Sequence, residues 1–207
     1  MQTEQAEQGL RERKKAATRR ALGEAALGLA MEHGVADVTV EAIAAAVDVS
    51  SRTFHNYFSS KEEAIVSVAA DRIEDSVEAL RSRPPEESNW DALETVMVED
   101  LVGASGQGDP LAQFLFIHEN AALLSQEMTA VKCAIDRFSQ VVAERSGTDT
   151  ARDMYPHLQA GAAMLCTRAA LTAWFADPAA DVVDLTRQAF AQLRAGLPEP
   201  QRDTGEP

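Results

Sequence analysis

The stretch TVEAIAAAVDVSSRTFHNYFSSK, residues 39–61, divides into a short helix, a tight turn and a second short helix, with Lys61 opening a third. Val40, Ile43, Ala44 and Val47 recur at i, i+3, i+4 and i+7 and so share one apolar helix face. Thr39 stands just before that run, where its hydroxyl can accept from a free helix N–H. Asp48-Val49-Ser50 breaks the pattern: aspartate tolerates a left-handed turn, and Ser50 is placed to cap the helix that follows. On that helix Phe54, Tyr57 and Phe58 form one apolar side, while Arg52 and Asn56 fall opposite, flanked by Thr53 and His55. Such a surface suits a DNA major groove, where Arg reads guanine and Asn reads adenine. Base reading is therefore assigned to Arg52 first, then Asn56, Thr53 and His55, with Ser51 at the helix start. An ordinary amphipathic helix pair would account for the apolar faces alone, but not for turn, caps and groove-reading side chains together.

The net charge of −14 looks wrong for a DNA binder until it is divided along the chain. Of 19 basic and 33 acidic residues, eight of each lie in residues 1–61, leaving 11 basic and 25 acidic beyond. Arg11, Arg13, Lys14, Lys15, Arg19 and Arg20 fall within ten residues and can neutralise phosphates, releasing counterions. The acidic remainder repels DNA from every other face. A composition 45% hydrophobic but only 5% aromatic, rich in alanine, favours helices over sheets. No apolar run is long enough to span a bilayer and the N-terminus is polar, so a cytoplasmic protein is expected. Cys133 and Cys166 sit inside apolar helical runs without paired or metal-like spacing and read as buried, reduced thiols.

Periodicity and breakers predict nine helices. Residues 1–9 are polar and expected to be disordered; helix 1 runs from about Leu10 to His33, stopped by Gly34. The helix-turn-helix completes a DNA-binding domain over 10–60. Ser59-Ser60 cap a connecting helix over 61–82. Residues 83–197 form a helical body with helices near 88–104, 110–124, 125–146, 157–176 and 180–195, and the tail from 198 is expected to be unstructured. Gly103 to Pro110 reads as a turn, and Pro156 interrupts a short helical turn before the fourth body helix.

Residues 10–66 resemble the DNA-binding domain of tetracycline-repressor (TetR) family regulators. The residues that carry this are Gly34, Thr39, Ile43-Ala44, the turn Val47-Asp48-Val49-Ser50, Thr53-Phe54, Tyr57-Phe58 and Lys61. Asp48 stands where the family most often has glycine, and His55 where it usually has tyrosine. The resemblance implies an all-α, nine-helix fold: three helices for DNA, one to connect, five for ligand binding and dimerisation. It also implies phosphate contacts by Thr39, Ser50, Tyr57 and Lys61. In the body, MYPHLQAGAAMLCTRAALTAWFAD (154–177) and DLTRQAFAQLRAGL (184–197) resemble the subgroup of mycofactocin-system regulators.

The body supplies Trp90, Met97, Phe114, Ile117, His118, Met128, Phe138, Met164 and Arg168 as candidates for an irregular apolar ligand pocket. A buried Arg168 would need an anionic partner, and surface exposure is its alternative. The helix near 157–176 is rich in small residues (Ala160, Gly161, Ala162, Ala163, Ala169, Ala170) that permit close approach, and Leu185, Ala189, Phe190 and Leu193 form an apolar stripe on the last helix; the resemblance implies that the two helices serve a four-helix dimer face. One head buries little DNA, so a two-fold homodimer on a palindrome is expected. No nucleophile motif, phosphate-cradling loop or metal-ligand spacing of the four histidines occurs, so neither enzyme activity nor a cofactor is expected. The reading is a DNA-binding regulator, a repressor released from a palindromic operator by a small, largely apolar effector. The rival reading is a helical small-molecule binding protein, or an enzyme, without sequence-specific DNA activity.

Overall fold

The computed structural model describes residues 2–103 and 109–199, with side chains from residue 11 onward except residue 12. Among the described residues all regular structure is helical: α1 (Gln2–His33), α2 (Val40–Ala46), α3 (Ser51–His55), α4 (Lys61–Ser82), α5 (Asn89–Leu101), α6 (Pro110–Glu119), α7 (Leu124–Ser146), α8 (Tyr155–Ala176) and α9 (Val182–Arg194), with a single 3₁₀ turn at Ala121–Leu123. The expected all-α, nine-helix order is observed. The chain forms two compact units, Met1–Asp75 with Gln107–Ala134, and Ser76–Gly106 with Ile135–Pro207. The division falls inside α4 and α7 rather than at residues 60 and 83, because α6 packs with the first helices.

In the first unit, Leu22, Ala26 and Ala30 of α1 meet Ile43 of α2, Phe54 and Phe58 at the end of α3, and Ala64 and Ile65 of α4, all at most 1% exposed. Ile117 and Leu123 join this core from α6 and the 3₁₀ turn. At Gly23 α1 passes close against α4: a Cβ there would lie 2.4 Å from Ser67 Oγ and 3.4 Å from the Ala64 carbonyl. Arg19 donates to Asp71 of α4 at 2.7 Å and its guanidinium lies over the Phe58 ring, 5.0 Å from the centroid. Helix α1 starts at Gln2, eight residues before the expected Leu10, so the arm expected to be disordered is helical. Its Gln, Glu and Ala residues are strong helix formers, a propensity that outweighs their polarity.

Caps account for most helix ends. Thr39 Oγ1 accepts from Ala42 N–H at 3.1 Å and Ser60 Oγ from Glu63 N–H at 3.1 Å, while the Glu63 carboxylate accepts from Ser59 N–H and hydroxyl. Helix α2 ends in a Schellman pair, Val49 N–H to Ala44 O at 3.0 Å and Asp48 N–H to Ala45 O at 3.2 Å, with Asp48 at φ 55°. Asp48 thus occupies the left-handed position that glycine fills most easily, as its residue type allowed.

In the second unit, Leu93, Val96 and Met97 of α5, Phe138, Val141 and Val142 of α7, Ala160, Ala163 and Cys166 of α8, and Phe190 of α9 form the core. The Trp90 ring packs against Phe190 with centroids 4.8 Å apart and donates Nε1–H to the Phe190 carbonyl at 3.4 Å. Arg145 staples the turn between α4 and α5: it donates to Asn89 Oδ1 at 2.9 Å and to the carbonyls of Arg83, Pro84 and Glu87 at 2.8–3.1 Å. In the same turn Arg83 and Glu87 form a bidentate pair, both bonds 2.7 Å. That hydrogen bond, ahead of Coulombic attraction, holds the Glu87 carboxyl below the usual carboxylate range. The α8 start at Tyr155 places Pro156 in its first turn, where its missing N–H costs nothing, so the expected interruption is a helix start. One of the two thiols departs from expectation. Cys166 is buried, but Cys133 is exposed, because Ala134 and Phe138 carry the inner face of α7. The expected turn at Gly103–Pro110 and the tail from 198 lie largely outside the described residues.

Candidate nucleic-acid interface

Helix α3 is one and a half turns long and is held at both ends by its own residues. Ser50 Oγ accepts from Thr53 N–H at 3.1 Å and lies 2.9 Å from Thr53 Oγ1. Beyond His55 the bonding continues, Tyr57 and Phe58 N–H both reaching Phe54 O at 2.9 and 3.0 Å. Phe54 is 0% and Phe58 1% exposed, their rings 5.6 Å apart. With the aromatic side sealed inward, helical periodicity turns Arg52, His55 and Asn56 outward, and all three are exposed. Ser51 and Thr53 are half-buried at the helix start. Among the described residues Arg52 makes no hydrogen bond or ion pair, so its five donors face solvent in a fixed fork. His55 stands edge-on to Phe54, ring centroids 5.5 Å apart at 89°, and remains exposed.

The four residues expected at phosphates divide. Thr39 and Ser50 both accept a backbone N–H as caps; the Thr39 hydroxyl keeps a hydrogen that a phosphate oxygen can accept, and that of Ser50 is free when Thr53 is the donor of their hydroxyl pair. Tyr57 is half-buried, consistent with a packed ring and an outward hydroxyl. Lys61 is different. Its ammonium donates to Val35 O at 2.8 Å, Ala36 O at 3.2 Å and Val38 O at 2.7 Å. In this conformation all three N–H groups are occupied and Lys61 ties the α1–α2 loop to α4, so a phosphate contact would have to replace one of these carbonyls.

Residues expected around a ligand pocket fall into both units. In the first, Ile117 is core, Phe114 stacks on His118 at 5.8 Å, His118 Nδ1 lies 3.6 Å from Glu127 Oε1, and Met128 is 74% exposed. In the second, Met97 and Phe138 are buried, Met164 is half-buried, and Arg168 is exposed, which removes the need for a buried counter-ion. Trp90 lines an open groove of about 430 Å³ with Leu158, Gln159, Ala162, Leu193 and Arg194. In this conformation neither Met128 nor Arg168 is enclosed, and for Arg168 this is the alternative its sequence left open.

On the expected dimer face, Leu185, Ala189 and Leu193 are half-buried, but Phe190 is 0% exposed beneath Trp90. Phe190 is therefore protomer core. On α8, the other helix expected at that face, Leu158 is 66% and Leu165 60% exposed, in helical register with half-buried Ala162 and exposed Ala169. The small residues Ala160, Ala163 and Ala170 of α8 face inward.

Comparison with known proteins adds two family matches. Residues 22–67 match the description "Bacterial regulatory proteins, tetR family", and residues 88–198 match "MftR C-terminal domain". Among curated proteins the chain is similar to the HTH-type transcriptional regulator TcmR of Streptomyces glaucescens, 31% identical over 156 residues that span 72% of this chain and 69% of that one. Among solved structures it is similar to SmeT, the repressor of the Stenotrophomonas maltophilia multidrug efflux pump SmeDEF, with TM-score 0.59, 18% identity, and 89% and 97% of the two chains covered. It is also similar to Thermus thermophilus FadR in complex with lauroyl-CoA, with TM-score 0.54, 17% identity, and 91% and 100% covered. At these identities the solved structures speak for the fold.

Proposed function

Because the chain belongs to the TetR family of DNA-binding transcriptional regulators, with a C-terminal domain of the MftR type, we propose that it is a homodimeric repressor. It sits on a palindromic operator and leaves it when a small apolar or amphipathic effector enters the C-terminal domain. The observation that carries the operator reading is α3 itself: Arg52, His55 and Asn56 exposed above Phe54 and Phe58, which are sealed. Arg52 leads base readout, supported by Thr53, His55 and Ser51, with Thr39, Ser50 and Tyr57 on phosphates. No helix among the described residues is long and apolar enough to cross a membrane, and operator access places the protein in the cytoplasm.

Two copies pair through α8 and α9. What supports this is the α8 stripe of Leu158, Ala162, Leu165 and Ala169, beside half-buried Leu185, Ala189 and Leu193 of α9. Gln159 Oε1 is buried without a hydrogen-bond partner at the edge of this stripe, and a donor from the second copy would satisfy it. The effector site draws on Met97, Phe138, Met164 and Trp90, soft or aromatic groups that adapt to irregular ligands. Helix α4 belongs to one compact unit at its start and to the other at its end. It is the covalent route by which an effector changes the spacing of two heads, favouring a separation that misses the half-sites.

Selection from random duplexes at moderate salt tests the first part. A two-fold symmetric site should be enriched, and its absence would overturn the reading. Arg52→Ala should cost about 1–3 kcal/mol at one base position of that site while the melting temperature holds. Operator affinity measured across lipophilic acids, acyl thioesters and drugs tests the second part; if a compound that raises the melting temperature leaves operator affinity unchanged, effector release is wrong.

A further inference from the structure

One face of α1 carries positive charge that no acidic side chain pairs with among the described residues. Arg11, Lys14, Lys15 and Thr18 stand at i, i+3, i+4 and i+7, and with Asn56 and Tyr57 they line an open groove of about 460 Å³. Among the described residues Arg11, Lys14 and Lys15 make no ion pair or side-chain hydrogen bond, whereas Arg19 on the same helix is committed to Asp71 and Phe58. Like charges three and four residues apart repel one another weakly, and an anion in the groove relieves that repulsion. From Arg11 to Thr18 the helix rises about 10 Å, close to three nucleotide steps of one DNA strand. That length fits a run of phosphates better than a single anion. The opposite wall is the end of α3. The backbone N–H of Asn56 is used on Thr53 O at 3.1 Å, closing the helix, and its side chain lines the groove beside the Tyr57 ring.

We infer that this groove seats a stretch of DNA backbone, with Arg11, Lys14 and Lys15 neutralising phosphates and Asn56 and Tyr57 holding the same strand from the other wall. Asn56 then positions the head and does not read a base. The inference rests on the operator-binding reading and adds to it a sequence-independent contact continuous with the Arg52 surface. An isolated anionic metabolite or an acidic peptide would have no reason to share a wall with the recognition helix.

The test is a salt titration of full-length protein on the selected operator and on a scrambled duplex of equal length. Lys14→Gln with Lys15→Gln removes four phosphate contacts per dimer, so the slope of log K against log salt should fall by about 3.6, on both duplexes alike. Lys14→Arg with Lys15→Arg should restore it, which separates charge from folding. Asn56→Ala should weaken operator and scrambled duplex by the same factor and leave base preference unchanged. An unchanged slope in the glutamine variant overturns the inference. So does a relaxed preference at one base pair in Asn56→Ala with scrambled binding intact. If the wild type enriches no symmetric site, the operator reading falls, and the slope on the scrambled duplex still decides the groove.

Discussion

In the first unit Arg11, Lys14, Lys15 and Arg52 reach solvent without an internal partner among the described residues. In the second, Arg81 pairs with Glu78 and Glu144, Arg83 with Glu87, Arg194 with Asp91, and Arg145 with a cluster of carbonyls. Cations that face solvent gather on α1 and α3, while most arginines of the second unit, like Arg19 in the first, serve as braces. The chemistry of the surroundings explains the contrast. Residues 62–207 carry all of the net negative charge, so cations there have carboxylates within reach; residues 1–61 are charge-balanced and gather their basic groups on α1 and α3. A cation without an internal partner is therefore a better sign of an external anion than a cation that is merely exposed.

The comparison can be broken at its strongest point first. Phe54→Ala should cost about 3–5 kcal/mol, because it empties a fully buried site under the recognition face. Chemical denaturation should show the loss, together with loss of operator binding; a stable variant that still binds would mean α3 does not depend on its aromatic floor. Arg145→Ala comes next, at about 2–3 kcal/mol, since it strips a charged donor from the carbonyls of the α4–α5 turn. Its signature is lost stability with the salt slope of DNA binding unchanged. Lys61→Met should cost about 1–2 kcal/mol for the loop carbonyls it leaves, again with the slope unchanged. A slope lowered by about 1.8 per dimer, with stability intact, would return Lys61 to the phosphate contacts.

The smallest effect concerns the thiols. Burial, with a lesser contribution from Glu94, pushes the Cys166 thiol up to about 11, while Cys133 is exposed. At pH 8 one thiol should label with maleimide within minutes and the second only on unfolding. A raised acid pKa means that the folded state favours the neutral thiol. That contribution is complete below the unfolded value near 8.5 and is lost as pH rises towards 11. Equal labelling of both thiols at pH 8 would place Cys166 outside the body core.

Much of the head was legible because its determinants are local. Thr39 and Ser50 as caps, Asp48 in a left-handed turn and the Phe54, Phe58 side against the Arg52, Asn56 side depend on residues three or four apart, within reach of helix geometry. The body was legible as helices and not as faces. A stripe such as Leu185, Ala189, Phe190 and Leu193 says that one side is apolar; whether it meets Trp90 of its own chain or a second copy depends on contacts a hundred residues away in sequence. Exposure of Met128 and Cys133 was invisible for the same reason, while that of Arg168 was one of the two readings its sequence left open.

The sequence by itself determined an all-helical chain, the helix-turn-helix with its caps and outward Arg52, and the split between a charge-balanced head and an acidic body, since hydrogen-bonding reach, periodicity and charge are properties of neighbours along the chain. Only the tertiary structure decided that Lys61 closes the α1–α2 loop, that Phe190 is core, and that Asn56 meets the basic face of α1. Each of these turns on which helix passes beside a side chain, and residues far apart in sequence settle that by packing their apolar faces together.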